Sequence, residues 1–233
     1  SNILSMAEPI HRKALWTSVR LSVVCTLICI LLALPLAAVI RSLHIKSSGF
    51  VIFIFILPMW MNFMLRTLAW RLILLNNGIL NQILTTLGFG KVHLMNTIWA
   101  VILGTVYDYL PFMVLPIYNA LVKIDNDVIS AAQDLGAGQW TILRRIIIPL
   151  SIPGVVSGIT MVMVPSISEF VIASMLGGGK VYLIGNVIEQ AFNSGYADIH
   201  AGSGLSLSLM VLILISMVIY RFFDGEEGES SLW

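Results

Sequence analysis

A chain of 233 residues is long enough to bury a soluble core, but 58% of its residues are hydrophobic and only 11% are charged, whereas a soluble domain carries about 25% charged residues. Together with a mean hydropathy of +0.94, this composition excludes an ordinary soluble protein and indicates a polytopic membrane protein. The formal net charge of +1 gives no indication of a nucleic-acid partner.

Five apolar segments are each long enough to cross a lipid bilayer, which takes about 20 residues of helix. They cover about 15–40, 50–75, 94–121, 146–176 and 202–223. We therefore predict an all-α, polytopic integral membrane protein in which residues 1–233 form one transmembrane domain. Cys25 and Cys29 lie four residues apart in the first segment and have no accompanying ligands, so they are predicted to pack there rather than to bind a metal.

Four ionisable residues lie within these apolar segments, where an unpaired charge costs several kcal/mol. They are Arg66 and Arg71 in the second segment, Asp108 in the third and Glu169 in the fourth. Asp108 lies between Tyr107 and Tyr109, and its carboxylate could line a transport path. It could equally form an internal ion pair, most simply with Arg66. The sequence leaves both interpretations open.

The fourth apolar segment is longer than one span needs, and Pro165 and the polar residues that follow it interrupt the segment. We predict a broken helix here. Broken helices often border translocation sites, so Glu169 is predicted to line a path. Trp60, near the middle of the second segment, could stack on a cation or simply pack. The candidates for a substrate path are therefore Asp108, Glu169, Trp60 and Tyr107.

The polar loop 123–145 separates the third segment from the fourth and is predicted to contain a short helix. Asn126 or Asp127 can cap it, because their side-chain oxygens accept hydrogen bonds from the free amides of a first turn. Apolar residues then follow at helical spacing. The small side chains of Ala131 and Ala132 would let the groove of another protein approach closely. We therefore predict a helix that lies across the membrane surface and contacts a partner.

This loop resembles the EAA loop of ABC-importer permeases, whose pattern is E-A-A, three residues, G, nine residues and I-x-L-P. The matching residues are Ala131, Ala132, Gly136, Ile146 and Pro149, whereas Ser130 stands where the family has Glu and Ile148 where it has Leu. The resemblance implies a type I ABC-importer transmembrane domain in which the loop is cytoplasmic and contacts an ATPase. The residues it implicates in that contact are Ser130, Ala131, Ala132, Asp134, Gly136 and Ala137.

Other stretches are similar to the first of the two permease subunits of spermidine/putrescine importers. They are 66–70, 110–118, 165–170, 176–180 and 184–186. This resemblance implies a heterodimer with a second permease, two copies of an ATPase, an external polyamine-binding protein and a place in the bacterial cytoplasmic membrane. It implies no cofactor in this chain, because ATP and Mg²⁺ would bind to the ATPase. With the loop inside the cell, the chain would begin outside, so we expect a further N-terminal span in the native protein.

Three alternatives stay open at this point. A polyamine is a polycation, which carboxylates and aromatic faces would guide, but Arg66 and Arg71 would suit an anion, a phosphonate or an opine. An independent channel or secondary transporter would need no docking helix. A membrane-embedded enzyme would need catalytic motifs, and the sequence contains neither H-E-x-x-H nor G-x-S-x-G.

Overall fold

The computed structural model describes residues 9–42, 50, 53, 56–193 and 199–229, and the regular structure within these ranges is helical throughout. The α-helices are α1 (Pro9–Ser42), α2 (Phe63–Leu74), α3 (Ile79–Thr86), α4 (Ile98–Val122), α5 (Asn126–Asp134), α6 (Gln139–Ile142), α7 (Ile148–Ile167), α8 (Val171–Gly177), α9 (Ile184–Asn193) and α10 (Ile199–Glu229). A 3₁₀ turn covers Leu57–Trp60, and one turn of π-helix, Leu143–Ile147, joins α6 to α7. The all-α class is confirmed.

Three helical stretches are long and apolar enough to cross a membrane. They are His11–Arg41, Ile98–Val122 and Gln139–Ile167, and a shorter apolar stretch, Gly202–Ile215, lies within α10. At about 1.5 Å per residue, even the shortest of the three exceeds the roughly 30 Å of hydrocarbon in a bilayer. These stretches coincide with most of the segments predicted near 15–40, 94–121 and 146–176, and with part of 202–223.

The predicted segment 50–75 contains a helix start that the hydropathy pattern conceals. Residues 43–49, 51–52 and 54–55 lie outside the described part of the chain. Beyond them the 3₁₀ turn ends at Trp60, and α2 begins only at Phe63. The Asn62 side-chain oxygen accepts hydrogen bonds from the amides of Met64 (2.9 Å) and Leu65 (3.4 Å). Such a cap starts a new helix, so the described part of this segment is not one continuous helix.

The break predicted in the fourth segment is present, but α7 continues past Pro165 to Ile167 before it ends. The Ser168 hydroxyl donates a hydrogen bond of 3.1 Å to the Pro165 carbonyl. This bond satisfies an acceptor that the end of the helix leaves without an amide partner. Helix α8 then begins at Val171. The break therefore lies at 168–170 and includes Glu169.

The chain divides into two compact units, each built from three stretches of sequence. The first unit consists of 1–25, 59–108 and 163–216. Its apolar core includes Ile167, Ile184 and Leu205. Beside this core, the hydroxyls of Ser22 and Ser166 lie 2.5 Å apart, and the Ser18 hydroxyl accepts from the Ile184 amide at 2.8 Å. Serines of α1 thus satisfy polar groups of α7 and α9 inside the apolar interior.

The second unit consists of 26–58, 109–162 and 217–233. Here two glycines of α7 allow close packing against α4. A Cβ atom added to Gly154 would lie 2.5 Å from the Pro116 carbonyl oxygen, and one added to Gly158 would lie 2.5 Å from the Met113 sulfur. The spacing of four residues puts both glycines on one face of the helix, which is how small residues bring helices together in membranes.

Candidate functional site

A buried ion pair between Arg66 of α2 and Asp108 of α4 lies within the first unit. The Arg66 Nε atom contacts the Asp108 Oδ1 atom, and the two side chains are only 11% and 2% exposed. The Arg66 guanidinium also lies 5.8 Å from the centre of the Phe63 ring. Of the two interpretations left open for Asp108, the internal pair with Arg66 is present. Each charge compensates the other at a depth where neither would be stable alone.

Glu169 is 7% exposed and lies in the break between α7 and α8. Its Oε1 atom accepts hydrogen bonds from the amides of Val171 (2.9 Å) and Ile172 (3.1 Å). The first amides of a helix lack acceptors within the helix, and its N-terminal end carries partial positive charge. The Glu169 side chain therefore caps α8, and the backbone of that helix holds the carboxylate in place.

The carboxylates of Asp108 and Glu169 are close enough to interact electrostatically. Arg66, Asp108 and Glu169 therefore form one cluster, which we call the charge cluster. The charge cluster contains one basic and two acidic side chains. Arg66 is paired with Asp108, and Glu169 is the second acidic residue, held by the amides of α8.

Residues of α9 hold the break in place, a role that the sequence reasoning missed. The Asn186 amide donates to the Phe170 carbonyl (3.1 Å) and the Ser174 hydroxyl (2.7 Å), and its oxygen accepts from the Leu183 amide (3.1 Å). Gly185 lies so close that an added Cβ would approach the Glu169 carbonyl oxygen to 3.0 Å. In the sequence, only the family resemblance points to residues 184–186. The local sequence does not indicate which segment the side chain of an asparagine will bind.

The two aromatic candidates for the path occupy different environments. The ring of Tyr107 packs edge-on against Trp70 of α2, with ring centres 5.1 Å apart, and Tyr107 is 39% exposed. Trp60 lies at the end of the 3₁₀ turn and is 80% exposed. Trp60 therefore does not pack in the interior of this chain, and its exposed ring can contact a ligand, lipid or another subunit.

In the second unit, α5 forms the short helix predicted in the polar loop. Its cap is Asp125, one residue before the predicted Asn126 or Asp127, because the Asp125 side chain accepts from the Asp127 amide at 3.1 Å. The helix ends before Gly136, whose φ of 81° is the left-handed conformation that glycine adopts most easily. No residue of α5 is buried in this chain. An isolated helix of nine residues is only marginally stable in water, so an exposed helix of this length fits a surface that a partner covers.

The predicted partner-contact residues lie on this exposed surface. Ser130, Ala131, Asp134 and Gly136 are exposed, and Ala132 and Ala137 are half-buried. Large apolar side chains flank them, because Leu135 is 89% and Trp140 is 73% exposed. Large apolar side chains that stay exposed are typical of a protein interaction site.

Arg41, at the end of α1, connects that helix to the start of α5. Its Nη2 atom donates to the Ile124 carbonyl (2.8 Å) and to the Asn126 side-chain oxygen (3.3 Å). Beside this contact is a cleft of about 390 Å³. It is lined by Ala120, Lys123, Ile124, Asp125, Val128, Leu150 and Pro153. The exposed helix is thus tied by hydrogen bonds to the last turn of α1, which lies in the same unit.

Known proteins share the sequence pattern of this chain. Residues 16–226 match the family described as the inner membrane component of binding-protein-dependent transport systems. The permease protein PotB of the spermidine/putrescine transport system of Haemophilus influenzae is 36% identical over 221 residues, which cover 94% of this chain and 77% of that protein. Its Escherichia coli counterpart is 34% identical and is covered to 80%. The inner membrane ABC transporter permease protein YdcU of Escherichia coli is 26% identical, with 94% and 73% coverage.

Solved structures show the same fold at low sequence identity. A bacterial alginate ABC transporter, in complex with an alginate-bound periplasmic protein, superposes with a TM-score of 0.75 at 18% identity, covering 95% of this chain and 81% of that chain. The methionine ABC transporter MetNI gives a TM-score of 0.61 at 17% identity, with 96% and 98% coverage. The chain therefore belongs to the family of inner membrane components of binding-protein-dependent transport systems, as a multi-pass permease subunit of an ABC importer that transports rather than catalyses.

Proposed function

We propose that this permease imports polyamines such as spermidine and putrescine across the bacterial cytoplasmic membrane. The proposal draws on two kinds of support. Relatives at 34–36% identity carry the name spermidine/putrescine permease, and the charge cluster contains two acidic side chains but one basic side chain. The cluster is the observation that carries the choice of substrate, because a name alone says nothing about the residues of this chain.

The charge cluster favours a cation over the anionic substrates that the sequence left open. Arg66 alone would suit a phosphonate or an inorganic anion. Its guanidinium is paired with Asp108, so little of its positive charge is left to attract a ligand. Glu169 adds a second carboxylate. A protonated amine that leaves water loses hydration energy, and attraction to this carboxylate would offset part of that loss. Trp60 and Tyr107 supply exposed aromatic faces that suit the remaining parts of a flexible polycation.

We further propose that α5 is the helix through which a partner ATPase moves this chain. The ATPase would contact Ser130, Ala131, Ala132, Asp134, Gly136 and Ala137. Arg41 ties α5 to α1 by hydrogen bonds, so a displacement of α5 would be passed to a membrane-crossing helix as a rigid-body movement. Two ATPase copies would bind ATP and Mg²⁺, and no cofactor is needed in this chain. A second permease and an external binding protein would complete the importer and allow alternating access around a central site.

The test is transport by the complete importer, with its second permease, ATPase and external binding protein reconstituted in proteoliposomes. The informative variant is Glu169→Gln, because the amide oxygen of glutamine can still accept from the Val171 and Ile172 amides while the charge is removed. We expect spermidine uptake and spermidine-stimulated ATP hydrolysis to fall by about tenfold or more. The matched control is Glu189→Gln in α9, where the carboxylate accepts from the exposed Asn193 side chain at 3.0 Å.

Each result has a distinct meaning. Unchanged spermidine uptake by Glu169→Gln would exclude the charge cluster from the path. ATP hydrolysis stimulated by a phosphonate but not by any polyamine would overturn the substrate assignment and favour the anion importer. Transport without the ATPase would favour an independent channel or secondary transporter.

A further inference from the structure

A cavity of about 530 Å³ opens in the first unit, away from the charge cluster. It is lined by Lys13, Ala14, Thr17, Ile98, Lys180, Val181 and Tyr182. These residues come from the first turns of α1, the first residue of α4 and the loop between α8 and α9. The cavity has a polar edge formed by two lysines and an apolar wall formed by Ala14, Ile98 and Val181. It is thus large and polar enough for a small charged group joined to an apolar one.

The cavity lies at the ends of two helical stretches that are long and apolar enough to cross a membrane. Two of the stretches that can cross a bilayer start at His11 and Ile98, so Lys13 and Ile98 lie at the ends of those stretches. Next to the lining residues, Trp16 and Trp99 are 62% and 64% exposed. Tryptophan is enriched at the level of the lipid headgroups, where one part of the ring contacts hydrocarbon and another contacts water. The exposed tryptophans and the helix ends are therefore those expected at the level of the lipid headgroups.

The charge of the lining is positive. Lys13 and Lys180 are 167 positions apart in the sequence and come together at one cavity, and among the described residues that line it there is no Asp or Glu. Glu189 interacts with Tyr182 but does not line the cavity. Burial, together with Glu189 nearby, raises the pKa of the Tyr182 hydroxyl, so this group stays protonated at neutral pH and donates a hydrogen bond to Gln190.

The presence of two lysines beside these helix ends is unusual for a membrane permease. If the polar loop after α4 is cytoplasmic, Ile98 at the other end of that helix is on the outer side, where permeases carry few basic residues. Two lysines that line one cavity attract an anionic headgroup by charge wherever such a lipid is present.

We propose that this cavity binds the phosphate of an anionic glycerophospholipid of the outer leaflet. Lys13 and Lys180 contact the phosphate oxygens, and Ala14, Ile98 and Val181 contact the glycerol backbone and the start of the acyl chains. The bound lipid connects α1, α4 and the loop after α8 at their outer ends.

The experiment is native mass spectrometry of the intact importer complex in detergent, titrated with phosphatidylglycerol. The test variant is Lys13→Gln/Lys180→Gln. We expect the complex to lose one tightly retained phosphatidylglycerol and the dissociation constant of that lipid to rise about tenfold or more. A Lys13→Arg/Lys180→Arg variant keeps both charges and is expected to retain the lipid. The matched control is Lys91→Gln, which removes an external lysine that donates to Asn77 and does not line the cavity.

Four outcomes would overturn the proposal. The glutamine variant could bind phosphatidylglycerol as the parent protein does, or Lys91→Gln could weaken binding equally. Zwitterionic phosphatidylcholine could bind as tightly as phosphatidylglycerol, which would exclude selection by charge. Displacement of the lipid by millimolar inorganic phosphate would assign the lysines to free phosphate instead.

Discussion

At the scale of single residues, the central finding is that Asp108 and Arg66 compensate each other. From the sequence alone, an arginine and a carboxylate at bilayer depth could pair with each other, or either could face a substrate. The contact between them leaves Glu169 as the second acidic residue of the cluster. Under the proposed function, the stability of the protein and its selectivity for cations would depend on different carboxylates.

This separation predicts the result of a double-mutant cycle. Asp108→Asn leaves the Arg66 guanidinium buried without its counter-charge, and we expect it to destabilise the protein by about 3–5 kcal/mol. Adding Arg66→Gln removes the uncompensated charge, so the double variant should regain most of that loss. The measurement is the thermal unfolding midpoint of the purified complex in detergent. A double variant that loses as much stability as the two single variants together would exclude the compensation.

At the scale of helices, close packing in the second unit depends on the missing side chain of Gly154. An added Cβ would lie 2.9 Å from the Ala120 Cβ atom and closer still to the Pro116 carbonyl. Neither neighbour can move without moving α4, because one is backbone and the other has a single side-chain carbon. The absence of a side chain at Gly154 thus allows α7 to lie this close to α4.

We therefore expect Gly154→Ala to lower the free energy of unfolding by about 1–3 kcal/mol, the usual cost of overpacking. Gly138→Ala is the matched control, because a Cβ added there would have no atom within 4 Å and the φ of −69° suits any residue. The thermal unfolding midpoints of the two variants make the comparison. Equal unfolding midpoints for the two variants would show that α4 and α7 accommodate the added methyl group without a loss of stability.

At the scale of the whole molecule, the exposed α5 indicates that this chain functions only in an assembly. We expect Ala131→Trp to abolish co-purification with the ATPase, because a large ring on the exposed face would keep the groove of the partner away from the helix. Folding should be unaffected, since Ala131 is exposed in its own chain. Thr86→Trp, on the exposed end of α3, is the control and should retain the ATPase.

The sequence predicted the class of fold and the location of the exposed helix better than it predicted contacts. Hydropathy depends only on composition along the chain, and the pattern around Ala131 and Gly136 is local. The pairing of Arg66 with Asp108 depends on how α2 and α4 align, which no local pattern states. The start of α2 at Asn62 was hidden by the apolar residues on either side. Likewise, the break near Glu169 could be predicted from Pro165. That the Glu169 carboxylate caps α8 could not be predicted.

The hydrogen bond from Arg41 to the Ile124 carbonyl affects how mutations at these two positions would be tolerated. The acceptor belongs to the main chain, so it persists whatever apolar side chain position 124 carries. The donor has no such redundancy, because one guanidinium nitrogen of Arg41 donates to both the carbonyl and the Asn126 side chain. An apolar substitution at position 124 therefore leaves the acceptor in place, whereas Arg41→Ala removes both hydrogen bonds at once.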